Sequence, residues 1–290
     1  MAKKLGGVFT ALLTPFTTDG SVDYKALEKL VRYNLDKGVS GFYVGGSTSE
    51  AFLLTADERK NILETVCEEN NGQGAIIAHV GCIGESHALD LAKHAKSMNV
   101  DAVSSVPPFY YGFSYDEIRN YYFDIADVGS PVIIYNFVAA GGAKLSTENF
   151  RDFLSDKRFI GVKHTSSDFF MLERLKAFRE DAVVFNGFDE MFISGLAAGA
   201  DGGIGSTYNF MAEKFINIEK LFRANKIEEA RAEQRKANNI IEVLCKFGVM
   251  PSEKVLCKYL GIDLGHCRKP FRKLTTEEEA ILIRVYNENI

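Results

Sequence analysis

A lysine at the end of a short apolar run is the residue of this sequence with the clearest capacity for chemistry. Residues 159–167 read Phe-Ile-Gly-Val-Lys-His-Thr-Ser-Ser, so a strand-like segment leads into Lys163 and small hydroxyl residues follow it. Burying an ammonium group is costly, and burial would lower the pKa of Lys163 from about 10.4 towards neutrality. A neutral amine in an apolar pocket can attack a carbonyl carbon and form a Schiff base. Alternatively, the strand ends one residue earlier and Lys163 points into solvent.

Polar residues also follow other apolar runs, and each has two interpretations. The hydroxyls of Ser47 and Thr48 lie in a glycine-rich turn, where they could hold a carboxylate or cap a helix. Tyr135 could be an ordinary core residue or, beside a reactive amine, a group that transfers protons. Asp189 and Glu190 could be ligands for a substrate or acids that stabilise a helix N-terminus.

Strand-like and helix-like segments alternate along most of the chain, which is typical of parallel βαβ units. Eight such units close a barrel, whose chemistry lies at the C-terminal ends of the strands. We therefore predict an α/β fold, a (β/α)8 TIM barrel over residues 1–225, with extra C-terminal helices over residues 226–290 packed on its flank. The predicted strands cover residues 7–13, 41–44, 75–80, 102–106, 132–135, 159–162, 182–186 and 202–205.

The composition excludes several classes of protein. A net charge of −5 with acidic and basic residues interspersed argues against a nucleic-acid surface, and no apolar stretch is long enough to span a bilayer. Five cysteines without a C-x-x-C pair and five histidines without H-E-x-x-H spacing predict neither a disulfide framework nor a metal site. The first residues lack a signal-peptide core, so we expect a cytoplasmic protein.

Several motifs of the sequence are similar to those of a known family. They are Gly45-Gly46-Ser47-Thr48-Ser49-Glu50, Tyr135-Asn136, Gly161-Val162-Lys163-His164-Thr165-Ser166, Gly187-Phe188-Asp189-Glu190, and residues 199–209, which read Gly-Ala-Asp-Gly-Gly-Ile-Gly-Ser-Thr-Tyr-Asn. On these residues the chain resembles, over essentially its whole length, the pyruvate-dependent class I aldolases of the dihydrodipicolinate synthase and N-acetylneuraminate lyase group. The resemblance implies a homotetramer that uses a covalent lysine Schiff base and needs no cofactor.

Within this group, the resemblance points to the branch that acts on sialic acid. It rests on Phe188-Asp189-Glu190, on the Gly-Ser-Thr-Tyr-Asn segment, and on residues 267–271, which read Cys-Arg-Lys-Pro-Phe. That branch reversibly cleaves N-acetylneuraminate to pyruvate and N-acetylmannosamine. The alternatives are another pyruvate-dependent aldolase, acting on 2-keto-3-deoxy sugar acids or as a dihydrodipicolinate synthase, and a non-catalytic barrel. The last would be expected to have lost Lys163 or Tyr135, and both are present.

The resemblance also implies roles for individual residues. Lys163 would form the Schiff base, and Tyr135 would move a proton between the sugar hydroxyl and the site. Tyr110 of a neighbouring subunit would complete a hydroxyl relay through Ser47. The residues implied to bind substrate are Ser47 and Thr48 for the carboxylate and Thr165, Gly187, Asp189, Glu190 and Ser206 for the polyol chain.

The sequence departs from the family pattern in two places. Ser49 stands where glycine is usual, so we expect an adjusted turn there. Residues 138–140 read Val-Ala-Ala, where the family usually has proline at Val138 and a bulkier residue near Ala140. The synthase branch usually has an arginine at the position of Ala140, and its absence argues against a substrate with a second carboxylate.

Overall fold

The eight predicted strands form a closed parallel barrel in chain order, with the first strand paired to the eighth. A computed structural model describes residues 5–137 and 144–290. The predicted TIM barrel is therefore confirmed. Its strands are β1 (Gly7–Ala11), β2 (Gly41–Val44), β3 (Ala75–His79), β4 (Ala102–Ser105), β5 (Val132–Phe137), β6 (Phe159–Thr165), β7 (Val183–Asn186) and β8 (Gly202–Gly205).

Helices separate the strands and follow the last one. They are α1 (Tyr24–Asp36), α2 (Ala56–Asn70), α3 (Glu85–Ser97), α4 (Tyr115–Asp127), α5 (Thr147–Ser155), α6 (Phe169–Phe178), α7 (Phe192–Ala197), α8 (Tyr208–Arg223), α9 (Ile227–Phe247), α10 (Val249–Tyr259) and α11 (Thr276–Asn289). A capping box begins α2, because Thr55 Oγ1 accepts from the Glu58 amide at 3.2 Å and Glu58 Oε2 accepts from the Thr55 amide at 2.8 Å.

Strands β5 and β6 are longer than the sequence predicts. Pairing continues past the predicted ends, with Tyr135 opposite Lys163 and Phe137 opposite Thr165. Lys163 therefore lies within a strand rather than after it. Because side chains alternate between the two faces of a strand, Lys163 and Thr165 share one face, and His164 lies on the other.

Large apolar side chains fill the inside of the barrel below its C-terminal rim. Phe9 and Phe185 meet edge to face, with ring centroids 5.1 Å apart. Tyr43, Ile77 and Ile133 belong to the same buried cluster. A second and larger apolar cluster lies between the strands and the surrounding helices. The barrel is thus packed below its C-terminal rim.

The C-terminal helices contact the loops at that rim. From α9, Gln234 Nε2 donates to the carbonyl of Asp189 at 3.0 Å and Asn238 Nδ2 donates to the carbonyl of Glu190 at 3.1 Å. These bonds fix the 3-10 turn Asp189–Met191, which follows β7. Helix α9 therefore helps to position the loop after β7, which the sequence analysis predicts to be part of the site.

A buried ion pair connects α10 to the turn after β2. Lys254 Nζ donates to Glu50 Oε1 at 2.9 Å, and both side chains are almost fully buried. The other oxygen of Glu50 accepts from the Arg268 amide at 2.7 Å. Removing one member of such a pair would leave an unpaired buried charge, so the pair ties the C-terminal segment firmly to the barrel rim.

Candidate active site

Lys163 is buried, with 5% of its surface exposed. Its Nζ lies 4.1 Å from the ring centroid of Tyr135 and 4.2 Å from that of Tyr43. Burial lowers the pKa of Lys163 to about 7, and the negative charge of Asp189 partly opposes this shift. The solvent-facing alternative is therefore wrong. A substantial fraction of this amine is neutral at physiological pH and can act as a nucleophile.

We expect the reactivity of Lys163 to rise with pH through about 7, because deprotonation produces the nucleophilic amine. Competitive trace acetylation with acetic anhydride at a series of pH values would measure this. N-α-acetyl-lysine, added to the same mixture, is the control and should keep gaining reactivity to about pH 10. Equal pH profiles for Lys163 and the added amine would contradict the lowered pKa.

Tyr135 faces the same space from the neighbouring strand. Its ring stacks on Phe137, with centroids 5.6 Å apart and an angle of 6° between the ring planes. Burial raises the pKa of Tyr135 to about 12, and the nearby hydroxyls of Thr165 and Ser47 limit this rise. Tyr135 is thus a phenol at neutral pH, and it can move a proton only in exchange with a neighbouring oxygen.

The turn after β2 places Ser47 and Thr48 at the mouth of the barrel. Gly45 has a φ of 73°, which favours glycine, and a side chain at Gly46 would come within 2.6 Å of the Tyr43 ring. The 3-10 turn Ser47–Ser49 follows directly. Both glycines are therefore needed for the path of this turn.

Ser49 shows how the chain accommodates its departure from the family pattern. Its Oγ donates to the carbonyl of Leu12 at 2.6 Å and accepts from the amide of Gly45 at 3.2 Å. Its backbone does not need the left-handed conformation, which is adopted by the next residue, Glu50, at a φ of 59°. The serine therefore joins this turn to the end of β1.

Acids and hydroxyls also lie at the barrel mouth in the segments after β7 and β8. Asp189 is buried, and its Oδ2 accepts from the amide of Thr207 at 3.0 Å and from Thr207 Oγ1 at 2.7 Å. Burial raises the pKa of Asp189 to about 6 despite these bonds. Gly187 is also required, because a side chain there would come within 1.9 Å of Thr165 Oγ1.

These groups surround one cavity of about 390 Å³. It contains every predicted site residue except Tyr110. Those lining residues are Ser47, Thr48, Tyr135, Lys163, Thr165, Gly187, Asp189, Glu190 and Ser206. The size and the mixture of apolar walls with a few polar groups are typical of a site for a small molecule.

One wall of the cavity was not predicted from the sequence. It consists of apolar and sulfur-bearing side chains of α9 and α10, namely Ile241, Leu244, Cys245, Val249 and Met250. The spacing of the first three is helical, but the same spacing is typical of a helix that packs on a core. Only the position of α9 over the barrel rim distinguishes the two.

Tyr110 lies outside the cavity of its own chain. It is 81% exposed on the loop after β4, with a φ of 77°. Its ring meets that of Tyr111 edge to face, with centroids 5.0 Å apart. Nearby, Phe52 and Phe109 pair with centroids 4.6 Å apart. The departure at 138–140 lies outside the described residues.

Among the described residues, no group of three or more His, Cys, Asp or Glu side chains is arranged to hold a metal ion. No helix in the described parts of the chain is both long and apolar enough to cross a membrane.

Comparison with known proteins assigns this chain to a family. The model of the dihydrodipicolinate synthetase family matches residues 4–288. The chain belongs to this family. A curated relative, the N-acetylneuraminate lyase of Rhizobium meliloti (strain 1021), is 45% identical over 280 residues, which is 96% of this chain and 93% of the relative.

Solved structures with similar folds support this family assignment. CdNal from Clostridium difficile, in complex with mannosamine, has a TM-score of 0.96 at 34% identity, covering 99% of this chain and 100% of the other. N-acetylneuraminate lyase from Fusobacterium nucleatum, complexed with pyruvate, has a TM-score of 0.93 at 35% identity, covering 98% and 97%.

Proposed function

We propose that this protein is a class I aldolase that reversibly cleaves N-acetylneuraminate to pyruvate and N-acetylmannosamine. The observation that carries the proposal is the buried amine of Lys163, which faces Tyr135 inside a cavity lined by hydroxyls and carboxylates. Two of the relatives named above are N-acetylneuraminate lyases, one of them complexed with pyruvate, and the third binds mannosamine. A non-catalytic barrel would have no need to keep a lysine in an environment that lowers its pKa to about 7.

Cleavage follows from the chemistry of the amine. Lys163 Nζ attacks the keto carbon, and loss of water gives a protonated imine. When the carbon–carbon bond beyond the methylene group breaks, its electron pair moves towards this imine nitrogen and leaves an enamine. The hydroxyl at the departing carbon gives its proton to the site and becomes the aldehyde. Protonation of the enamine and hydrolysis release pyruvate, so the covalent lysine serves in place of a cofactor.

Tyr135 is the group suited to carry the proton in this step. It stands opposite Lys163 on the neighbouring strand, and the hydroxyls of Ser47 and Thr165 are its polar neighbours. A phenol with a pKa of about 12 does not lose its proton to water, but it can accept and donate through a chain of hydroxyls. Ser47 and Thr48 hold the carboxylate of the keto acid beside the amine.

The two acids after β7 are proposed to select the polyol end of the substrate. We expect Asp189→Ala and Glu190→Ala each to reduce cleavage of N-acetylneuraminate by roughly 10- to 150-fold, because a hydrogen bond to a charged group contributes about 1.5–3 kcal/mol. Capture of pyruvate by Lys163 should be retained in both variants, since pyruvate lacks the polyol chain. Pyruvate release, coupled to lactate dehydrogenase, and borohydride trapping would measure the two effects.

The same assay across a panel of keto acids tests the substrate itself. A second carboxylate would be repelled by Asp189 and Glu190, so no condensation of pyruvate with aspartate semialdehyde is expected. The panel should include 2-keto-3-deoxy sugar acids, which lack the acylamino group. Efficient turnover of aspartate semialdehyde, or unchanged cleavage of sialic acid in both alanine variants, would overturn the assignment.

We further propose a cytoplasmic homotetramer in which Tyr110 enters the site of a neighbouring subunit. The exposed aromatic side chains of the loops after β2 and β4 support this, because rings exposed to this degree are typical of an interface. The five cysteines are all free, as in a reducing compartment.

We expect sedimentation velocity to show a tetramer and Tyr110→Phe to lower kcat by about 2- to 10-fold, since one neutral hydrogen bond is lost. Tyr111→Phe is the matched control, because Tyr111 is also exposed, at 63%, but has no predicted role in the relay. A fully active monomer would exclude the shared site. Unchanged turnover in Tyr110→Phe would exclude the relay alone.

A further inference from the structure

One buried acid next to the cavity has no part in the mechanism above. Glu253, on α10, is 0% exposed. Neither of its carboxyl oxygens has a hydrogen-bond partner of ordinary geometry in the described parts of the chain. A buried and unpartnered carboxyl group requires a physical explanation, because replacing it by an apolar side chain would remove a large desolvation cost.

The charges around Glu253 favour its neutral form. Lys254 is next in sequence, but its ammonium is paired with Glu50. The groups that interact electrostatically with Glu253 from the surrounding elements are Asp189 at the cavity, Cys245 on α9, Cys257 on α10 and Cys267 in the loop before α11. Asp189 is acidic and thiols are neutral or negative, so none of these groups stabilises a carboxylate.

Burial accordingly raises the pKa of Glu253 to about 8, with the Ser206 hydroxyl lowering it and the charge of Asp189 raising it. Ser206 itself lines the cavity, after β8. Ser206 is therefore both a polar neighbour of the buried acid and part of the cavity wall.

We propose that Glu253 is a positioning residue, in which the neutral acid donates a hydrogen bond to Ser206 Oγ and so directs the Ser206 O–H into the cavity. This inference rests on the proposed aldolase function and assigns Ser206 the role of donor to an oxygen of the polyol chain. A neutral carboxyl group has one O–H donor, and a serine oxygen can accept one bond while it donates another.

Ionisation of Glu253 would reverse the arrangement. A carboxylate accepts only, so Ser206 would turn its O–H towards Glu253 and present lone pairs to the substrate. The affinity for the polyol chain would then fall as the pH rises through about 8. Lys163 and its reaction with pyruvate would not share this dependence, since pyruvate lacks the polyol chain.

Two substitutions separate this role from a merely structural one. Glu253→Gln keeps a donor at every pH, and Glu253→Leu removes the donor and fills the space. KM for N-acetylneuraminate should rise about 2- to 10-fold between about pH 6 and pH 9 in the wild type, the effect of one hydrogen bond. Glu253→Gln should lack this rise. Glu253→Leu should show the higher KM already at low pH.

The ratio of KM for each variant to KM for the wild type at the same pH cancels the effects of other titrating groups, which both proteins share. Retention of the wild-type pH dependence in Glu253→Gln, or a wild-type KM for Glu253→Leu at low pH, would overturn the proposal. If either variant does not fold, Ser206→Ala serves instead, and it should abolish the pH-dependent part of KM. A rise that persists in Ser206→Ala would equally overturn the proposal.

Separate measurements test the role of Glu253 and the proposed aldolase function. Borohydride trapping of pyruvate on Lys163 and cleavage of N-acetylneuraminate by the wild type test the function alone. If the wild type captures pyruvate but cleaves another keto acid of the panel, the same KM measurements are made with that substrate.

Discussion

Replacing Lys163 by arginine is expected to abolish both the covalent capture of pyruvate and the cleavage of N-acetylneuraminate. A guanidinium stays protonated at every accessible pH and has no lone pair with which to attack a carbonyl carbon. It would also place a permanent charge where Lys163 is buried between the rings of Tyr43 and Tyr135. Incubation with pyruvate and borohydride, followed by peptide mapping, should show one reduced pyruvyl group on the wild type and none on Lys163→Arg.

Lys144 provides a matched control for this experiment. It is exposed and belongs to the described residues that begin at 144, so it is accessible to reagents. Lys144→Arg should retain both labelling and turnover. Label on a peptide that contains Lys144 but not Lys163 would preserve the class I mechanism and move the nucleophile elsewhere.

The fold could be predicted from the sequence because strand and helix patterns alternate eight times. The ends of β5 and β6 could not, since Lys163 and Tyr135 are polar and look like strand termini. Their extra pairing depends on partners in the neighbouring strand, which no local pattern reveals. For the same reason, the sequence alone does not decide whether Lys163 is buried. The chemistry proposed for this residue requires that burial.

The site was predicted best where a motif lies directly after a strand. Ser47, Thr48 and Asp189 reach the cavity as expected, but the contact of Asp189 Oδ2 with Thr207 depends on two separate loops. The wall from α9 and the buried Glu253 were missed. Apolar spacing on α9 is compatible with an ordinary core face, and a glutamate in a helix is usually exposed.

Replacing Tyr135 by phenylalanine is expected to lower kcat for cleavage of N-acetylneuraminate by about 10²- to 10⁴-fold, the range for loss of a positioned acid–base group. The substitution keeps the ring that lies 4.1 Å from Lys163 Nζ and removes only the hydroxyl. Imine formation with pyruvate should therefore survive, and borohydride should still label Lys163.

Tyr43→Phe distinguishes proton transfer by Tyr135 from a general effect of removing a hydroxyl near the amine. The Tyr43 ring lies 4.2 Å from Lys163 Nζ, almost as close as that of Tyr135, but its hydroxyl donates to Ser104 Oγ at 3.1 Å. Loss of that neutral hydrogen bond should change kcat by no more than about tenfold. Equal losses of kcat in the two variants would show that the ring environment, rather than the Tyr135 hydroxyl, governs cleavage.

A Tyr135→Phe enzyme whose kcat is within tenfold of the wild-type value would require another group to accept the proton of the departing hydroxyl. Thr165 lies on the same face of β6 as Lys163 and would be the next residue to test.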